Sequence, residues 1–223
     1  MPCFLAGVSA AKTLASALGV PCYEFSHQQG HIAAALWSAG RMDLMESPHL
    51  AWHLSGGTTE FLLVEPEGRN VKATKIGGTS DISAGQIMDR TGKLLELPFP
   101  SGKALDALSQ NAVNKEHFRL KTDHFTVSFS GLENKVAQYY AAGHTREDTA
   151  YYAIASVCDA IVRITKDALS EYPGAETVFS GGVASNSVLR DCCKELPCVF
   201  AEPMYSTDNA MGIAVLTQRQ EVE

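Results

Sequence analysis

Basic residues are scarce in this chain: 18 Lys and Arg stand against 25 Asp and Glu, a formal net charge of −7. A protein that grips nucleic acid unaided displays a basic face, because neutralising phosphates and releasing counterions supplies most of the affinity. If a nucleic acid is the substrate here, a partner must supply much of the grip. The chain has no run of eighteen apolar residues, so no membrane span is expected. Its start, Met1-Pro2-Cys3, lacks a basic segment leading into an apolar core, so the cytoplasm rather than a secretory route is the expectation. No C-x-x-C pair occurs among the six cysteines at positions 3, 22, 158, 192, 193 and 198. That excludes a zinc ribbon and suits reduced thiols better than a disulfide framework. Of the vicinal Cys192 and Cys193, one is expected in the core and the other to be incidental.

What is present is a globular composition. With 223 residues, 45% hydrophobic and 19% charged, the chain can bury about 70% of its unfolded surface and is not wholly disordered.

The stretch Phe25–Ala35 (F-S-H-Q-Q-G-H-I-A-A-A) reads as a helix with His27 and His31 four residues apart. At 3.6 residues per turn they are offset by only ~40° around the axis, so both imidazoles leave one face. Such a pair supplies two metal ligands, and a third, usually a carboxylate, must come from elsewhere. Asp208, in S-T-D-N-A-M-G, is the Asp set among small residues at a helix start. A His27, His31, Asp208 metal site joining the two ends of the chain is therefore expected. On spacing alone, solvent-facing or core histidines remain open, as does an Asp208 that only starts its helix.

Residues 4–18 read as an Ala-rich helix ended by Gly19, and V-P-C-Y-E-F as a short strand leading to Ser26, an N-cap for the histidine helix, which runs to about Gly40. His49–Val64 reads as two strands around a tight S-G-G-T-T turn. Its glycines let backbone approach an anion and Ser55, Thr58 and Thr59 add hydroxyls, so it is a candidate phosphate loop; a plain hairpin turn is the alternative. A third strand over Val71–Ile76 completes an antiparallel meander. Helices follow over Asp81–Leu95, carrying Asp89, whose simpler role is to pair with Lys93, and over Lys103–Gln110. Residues 111–124 are polar and irregular and are expected to be a mobile loop. A long helix spans Arg146–Glu171, nearly uncharged through A-Y-Y-A-I-A-S-V-C-D-A-I-V. The strand Glu176–Phe179 runs into Ser180-Gly181-Gly182 and a helix reaching about Leu196, with Asn186 in its first turn. Strand, Gly-Gly turn and helix start together favour a nucleotide or phosphate, although a packing turn reads equally well. Cys198–Phe200 is a last strand, and Ser206 can cap the closing helix. The layout is that of a two-lobed α/β protein with a nucleotide between the lobes.

Seven spaced motifs occur in order: H-Q-Q-G-H, L-S-G-G-T-T-E-F, G-G-T-S-D-I-S-A-G-Q-I-M-D-R, P-F-P-S-G, V-S-F-S-G-L, S-G-G-V-A-S-N-S-V-L-R and S-T-D-N-A. Together they resemble the TsaD family, once labelled O-sialoglycoprotein endopeptidase or glycoprotease. The resemblance implies the actin/Hsp70-like two-lobed ATPase fold, lacking the first strands of lobe I. Residues 1–47 would be a partial lobe I with the metal helix, 48–205 lobe II with the nucleotide loops, and 206–223 a helix returning to lobe I. It implies transfer of a threonylcarbamoyl group from threonylcarbamoyl-AMP to N6 of the tRNA adenosine beside the anticodon, with helper proteins. It assigns His27, His31 and Asp208 to one divalent metal, iron in preference to zinc. It sets Ser55, Gly56, Gly57, Asp89, Gly102 and Asn186 around the adenylate, beside the loop residues Thr58, Gly181 and Gly182.

The chain departs from the family pattern at several positions. Thr58 stands where the family has the His of S-G-G-H-T, Gly78 and Ile82 replace two carboxylates, Gln86 replaces a Glu, and Glu133 replaces a Lys or similar residue. Roughly the first quarter of a typical member has no counterpart. The apolar face of the first helix is therefore expected to be exposed, swapped, or covered by a second copy or another chain. A non-catalytic nucleotide- or metal-binding scaffold is the alternative function. A glycoprotease-like metalloprotein is less well supported, because Gln28 stands where an H-E-x-x-H protease has its Glu base.

Overall fold

A strand buried on both faces anchors the structure. In β1 (His49–Leu54) every residue is buried, and its side chains alternate between the two faces of the sheet, as a pleated strand requires. Leu50, Trp52 and Leu54 enter the larger core, whereas Ala51 enters the smaller one. The computed structural model describes residues 2–206 and 209–221, with side chains from Leu5 onward.

β1 pairs antiparallel with β2 (Thr59–Glu67), and β2 with β3 (Asn70–Thr79), forming the expected meander. On its other side β1 pairs in parallel with β6 (Thr177–Ser180), and β6 with β7 (Cys198–Phe200). The short strands β4 (Thr122–Asp123) and β5 (Thr126–Val127) extend the far edge, so the sheet order is β4-β5-β3-β2-β1-β6-β7. Five helices build the larger core on one face: α3 (Ala84–Leu94), α4 (Gly102–Ser109), α5 (Ser130–Ala141), α6 (Arg146–Glu171) and α7 (Ser187–Cys192). Trp52 stacks on Phe61 at 4.4 Å there, and its indole N–H donates to Thr165 Oγ1 at 3.0 Å, so the largest core side chain is packed and satisfied. The opposite face carries α2 (His27–Ser38) and α8 (Ala210–Glu221) over a smaller cluster that includes Ile32, Leu36, Val64, Val178 and Leu216. α1 (Pro2–Leu18) precedes them, with Leu5, Leu14 and Leu18 each more than 60% exposed, as expected of its apolar face.

Several expectations change. Val20–Phe25 is not a strand: it runs as irregular chain outside the sheet, and Pro21 within it has no N–H to offer a ladder. α3 begins three residues later than expected, since Ser83 is its N-cap. Asp81 serves a different helix, accepting from Ser128 Oγ and from the Phe129 and Ser130 amides at the start of α5. Burial alone would raise the Asp81 pKa, but those hydrogen bonds outweigh it and hold the carboxyl well below its ordinary range. Residues 111–121 are tied down, with Asp148 accepting the Val113 and Asn114 amides and Ser156 Oγ the Phe118 amide. Ser206 caps no helix: its hydroxyl donates to the Gly181 carbonyl at 2.6 Å. Cys193 is buried and Cys192 exposed, as expected, and all cysteines among the described residues are free.

His49, fully buried at the start of β1, donates from Nδ1 to the Ser47 carbonyl at 3.0 Å, which leaves Nε2 unprotonated and without a partner. Burial pushes its pKa below the ordinary value of 6.5, offset only in part by that hydrogen bond. Below about pH 6.5 the unfolded chain therefore takes up a proton at His49 that the folded chain refuses, and stability falls with pH. Urea midpoints measured at pH 7.5 and 5 should show the decline, and it should shrink in His49→Asn.

Candidate metal and nucleotide site

α2 starts at His27 because Ser26 caps it. The Ser26 hydroxyl accepts from the Gln29 amide at 3.2 Å, and the Gln29 side chain accepts from the Ser26 amide at 2.7 Å, a reciprocal capping box. Gln29 is anchored further by donating to the Val71 carbonyl at 2.7 Å. α8 lies hard against this helix. A Cβ on Gly212 would stand 1.7 Å from the Gly30 carbonyl oxygen, and one on Gly30 would stand 2.5 Å from the Asn209 amide nitrogen. Asn209 Nδ2 donates to the His27 carbonyl at 2.8 Å. The start of the histidine helix is thus clamped by the segment entering α8. Asp208, the expected third ligand, lies outside the described residues.

The alternation of β1 sends His53 to the α2 face, where it meets the helix pair. One ring nitrogen from each of His27, His31 and His53 lies within 4.8 Å of the others. The His31 and His53 ring centroids are 4.4 Å apart, and those of His27 and His31 4.5 Å. His27 is exposed, while His31 and His53 are buried. Nitrogens bound at about 2.0–2.1 Å around a tetrahedral zinc sit roughly 3.4 Å from one another, so small side-chain rotations would close the trio on an ion. A donor set of three imidazoles fits a divalent transition metal.

His53 Nδ1 is 3.2 Å from Ser180 Oγ, whose own proton goes to the Trp52 carbonyl at 3.2 Å. With its proton committed there, the Ser180 oxygen is the acceptor, so His53 carries its proton on Nδ1 and keeps the Nε2 lone pair. Burial, reinforced by the His27 charge, pushes the His53 pKa down to about 4, so the ring is neutral at physiological pH. Glu60, paired with His53 across the β1–β2 ladder, accepts from Gln28 Nε2 at 3.1 Å and faces Lys75 at 3.4 Å, which puts a carboxylate on the rim of the cluster.

The candidate nucleotide loops occupy one end of the sheet. Ser55 and Thr58 close their turn on themselves: the Ser55 amide donates to the Thr58 carbonyl at 2.8 Å, and the Thr58 amide to Ser55 Oγ at 3.0 Å. Gly56 and Gly57 are exposed, with open space where a Cβ would stand. Thr59 is not a phosphate donor, because it is buried and its hydroxyl accepts from the Ala84 amide at 2.8 Å. Gly181 has a φ of +90°, and a Cβ there would lie 2.2 Å from the Leu54 carbonyl oxygen, so the Ser180-Gly181-Gly182 turn runs directly against the end of β1. The two loops are therefore neighbours. Asn186 is the N-cap of α7, its side-chain oxygen accepting from the Leu189 amide at 3.1 Å, which occupies that oxygen. Asp89 accepts from the Ser101 amide at 2.8 Å, fixing the start of α4 beside Gly102, whose Cβ position is open. Asp89 and Gly102 thus belong to the helices of the larger core, on the face of the sheet opposite α2.

His53 beside the α2 pair was not expected from the sequence, where the third ligand sought was a carboxylate. The available signal was the register of H-L-A-W-H-L: once Leu50, Trp52 and Leu54 share a face, His53 must leave the other. The Gln28–Glu60 pair depends on strand pairing and had no local signal.

A family model described as "TsaD: tRNA N6-adenosine threonylcarbamoyltransferase" matches residues 1–215. A protein from Lacticaseibacillus casei called tRNA N6-adenosine threonylcarbamoyltransferase is 36% identical over 200 residues, covering 86% of this chain and 57% of its own length. One of the same name from Enterococcus faecalis is 35% identical over 209 residues, covering 87% of this chain and 58% of its own. The chain therefore spans rather more than half the length of these relatives. Among solved structures, full-length HypF in a phosphate- and nucleotide-bound form superimposes with a TM-score of 0.72 at 14% identity, over 93% of this chain and 37% of that one. This likeness, at so low an identity, concerns the fold, which is α/β with a mixed sheet and of the actin/Hsp70-like type. Matched over nearly its whole length, with the histidine helix and the paired glycine loops in place, the chain belongs to the TsaD family.

Proposed function

We propose that this chain acts as a tRNA N6-adenosine threonylcarbamoyltransferase, moving threonylcarbamoyl from its adenylate to the adenosine beside the anticodon. The observation that carries the reading is the convergence of His27 and His31 beside the strand end from which the Ser55–Thr58 and Ser180–Gly182 turns leave. A carbamoyl–phosphate anhydride already has a good leaving group, so the chain's task is positioning and charge stabilisation. The open Gly56–Gly57 backbone and the Ser55 hydroxyl hold the phosphate of the adenylate, and Gly102 leaves room for the rest of the nucleotide. His27 and His31, with Asp208, would hold one divalent metal, iron in preference to zinc. Such an ion would supply Lewis-acid polarisation of the carbonyl. The adenosine amine attacks the carbamoyl carbon, AMP departs with the electrons of the broken C–O bond, and the proton the amine loses passes to solvent.

Because the chain is acidic, helper proteins of the same modification system supply much of the grip on tRNA. A second copy or another chain covers α1, and the reaction belongs in the cytoplasm. α2 and α8 represent the part of lobe I carried by residues 1–47 and 206–223. Among the described residues no helix is long and apolar enough to cross a membrane.

The test supplies threonylcarbamoyl-AMP, unmodified tRNA and ferrous iron and measures threonylcarbamoyladenosine by mass spectrometry of digested tRNA. Modified nucleoside above the protein-free background is expected. Its absence, both with the chain alone and with the helper proteins, would remove the enzymatic reading.

A further inference from the structure

The expected ligand set took two imidazoles from α2 and a carboxylate from the far end of the chain. The structure adds a third imidazole from a different element. We propose that His53 is a metal ligand, so that His27, His31 and His53 form a three-imidazole site for a divalent first-row transition metal; this rests on reading the α2 pair as a metal site.

Three observations carry it. The ligand-capable ring nitrogens lie within 4.8 Å of one another. His53 also has the second hydrogen bond that metal-bound imidazoles characteristically make. Ser180 Oγ takes the Nδ1 proton and leaves Nε2 as the coordinating nitrogen, and Ser180 is itself fixed by the Trp52 carbonyl. Finally, His53 hangs from a strand paired on both sides, with Glu60 in β2 and Ser180 in β6, so its position is set by the sheet rather than by a mobile loop. A histidine present only to fill the core would gain nothing from a second and a third imidazole packed at its open edge.

Donor chemistry follows from the set. Neutral imidazoles suit zinc, cobalt, iron, nickel and copper and discriminate against magnesium and calcium, which prefer oxygen ligands. His53 is also two residues before Ser55 in the same hairpin, so the ion would brace the strand that presents the candidate phosphate loop.

The experiment uses the whole chain, stripped with a chelator and titrated with Co²⁺, with the visible ligand-field band as readout and Zn²⁺ as competitor. One equivalent should bind, with a band typical of nitrogen ligation and no displacement by excess Mg²⁺. His53→Gln should weaken Co²⁺ binding at least as much as loss of an outer-shell partner does, about 10–100-fold, and Ser180→Ala should fall within that range. X-ray absorption of the zinc-loaded unsubstituted protein counts imidazoles directly, and three are expected, so the proposal stays testable even if His53→Gln fails to fold. A chain that binds no transition metal overturns this proposal together with the α2 site. Binding abolished in His27→Ala but unchanged in His53→Gln, or two imidazoles in the absorption spectrum, overturns His53 alone.

Discussion

Gly212→Ala is expected to lower stability by about 3 kcal/mol or more, near the upper limit for forcing one methyl into a packed interior. The added carbon would stand 1.7 Å from the Gly30 carbonyl oxygen and 2.9 Å from the Ala34 amide nitrogen, both backbone atoms that no rotamer change can move aside. Relief therefore requires sliding α8 away from α2. That movement strips cover from Ile32, Leu36 and Leu216 and breaks the hydrogen bond from Asn209 to the His27 carbonyl. Chemical denaturation should show the loss as a lower midpoint, and metal affinity should fall with it because the start of the histidine helix is no longer clamped. Gly7→Ala, in α1 with nothing within 4 Å of its Cβ position, is the matched control and should be neutral or slightly stabilising.

The second large effect concerns His31→Ala. His31 is the central member of the trio, its ring within 4.5 Å of both others by centroid. Its loss leaves His27 and His53, whose centroids are 5.8 Å apart, with a gap where the middle ligand was. Metal affinity should drop by more than about 100-fold, beyond what removal of an outer-shell group costs. The linked stabilisation should go with it: metal at 100 times its dissociation constant adds about 2.7 kcal/mol to the native state of a binding protein. Thermal unfolding with and without metal should therefore differ for the unsubstituted chain and coincide for His31→Ala. An upward shift of equal size in the variant would show that the ion binds elsewhere.

Where the code is local, the sequence could be read closely. α6 matches the expected Arg146–Glu171 because a capping Thr145 starts it, a long apolar stretch runs through its middle, and Pro173 stands just beyond its end. α2 likewise declares its start through Ser26 and Gln29. The elements that escaped are those set by distant partners. α5 was not anticipated, since no side chain at its own N-cap closes it; the carboxylate that does, Asp81, lies 49 residues away from Ser130 and looked like the start of α3. Val20–Phe25 has strand-like composition but joins no strand of the sheet. In the site, the α2 histidines were legible from spacing because a helix repeats locally, whereas His53 becomes a neighbour only through the packing of β1 beneath α2. Asn186 and Asp89, which the resemblance sets around the adenylate, also have structural duties with no such signal: one side-chain oxygen of each accepts an amide, Leu189 in α7 and Ser101 at the start of α4.

β1 and β6 run side by side in the same direction, with His53 opposite Ser180. Had the chain entered β6 from the other end, the Gly181 turn would have emerged at the foot of the sheet, about 13–20 Å away for strands of four to six residues. Where a ligand can sit is thus decided by the direction in which α6 returns the polypeptide, well before any loop residue is chosen. Loop substitutions can retune affinity or selectivity, but relocating the cleft would require rewiring the crossover.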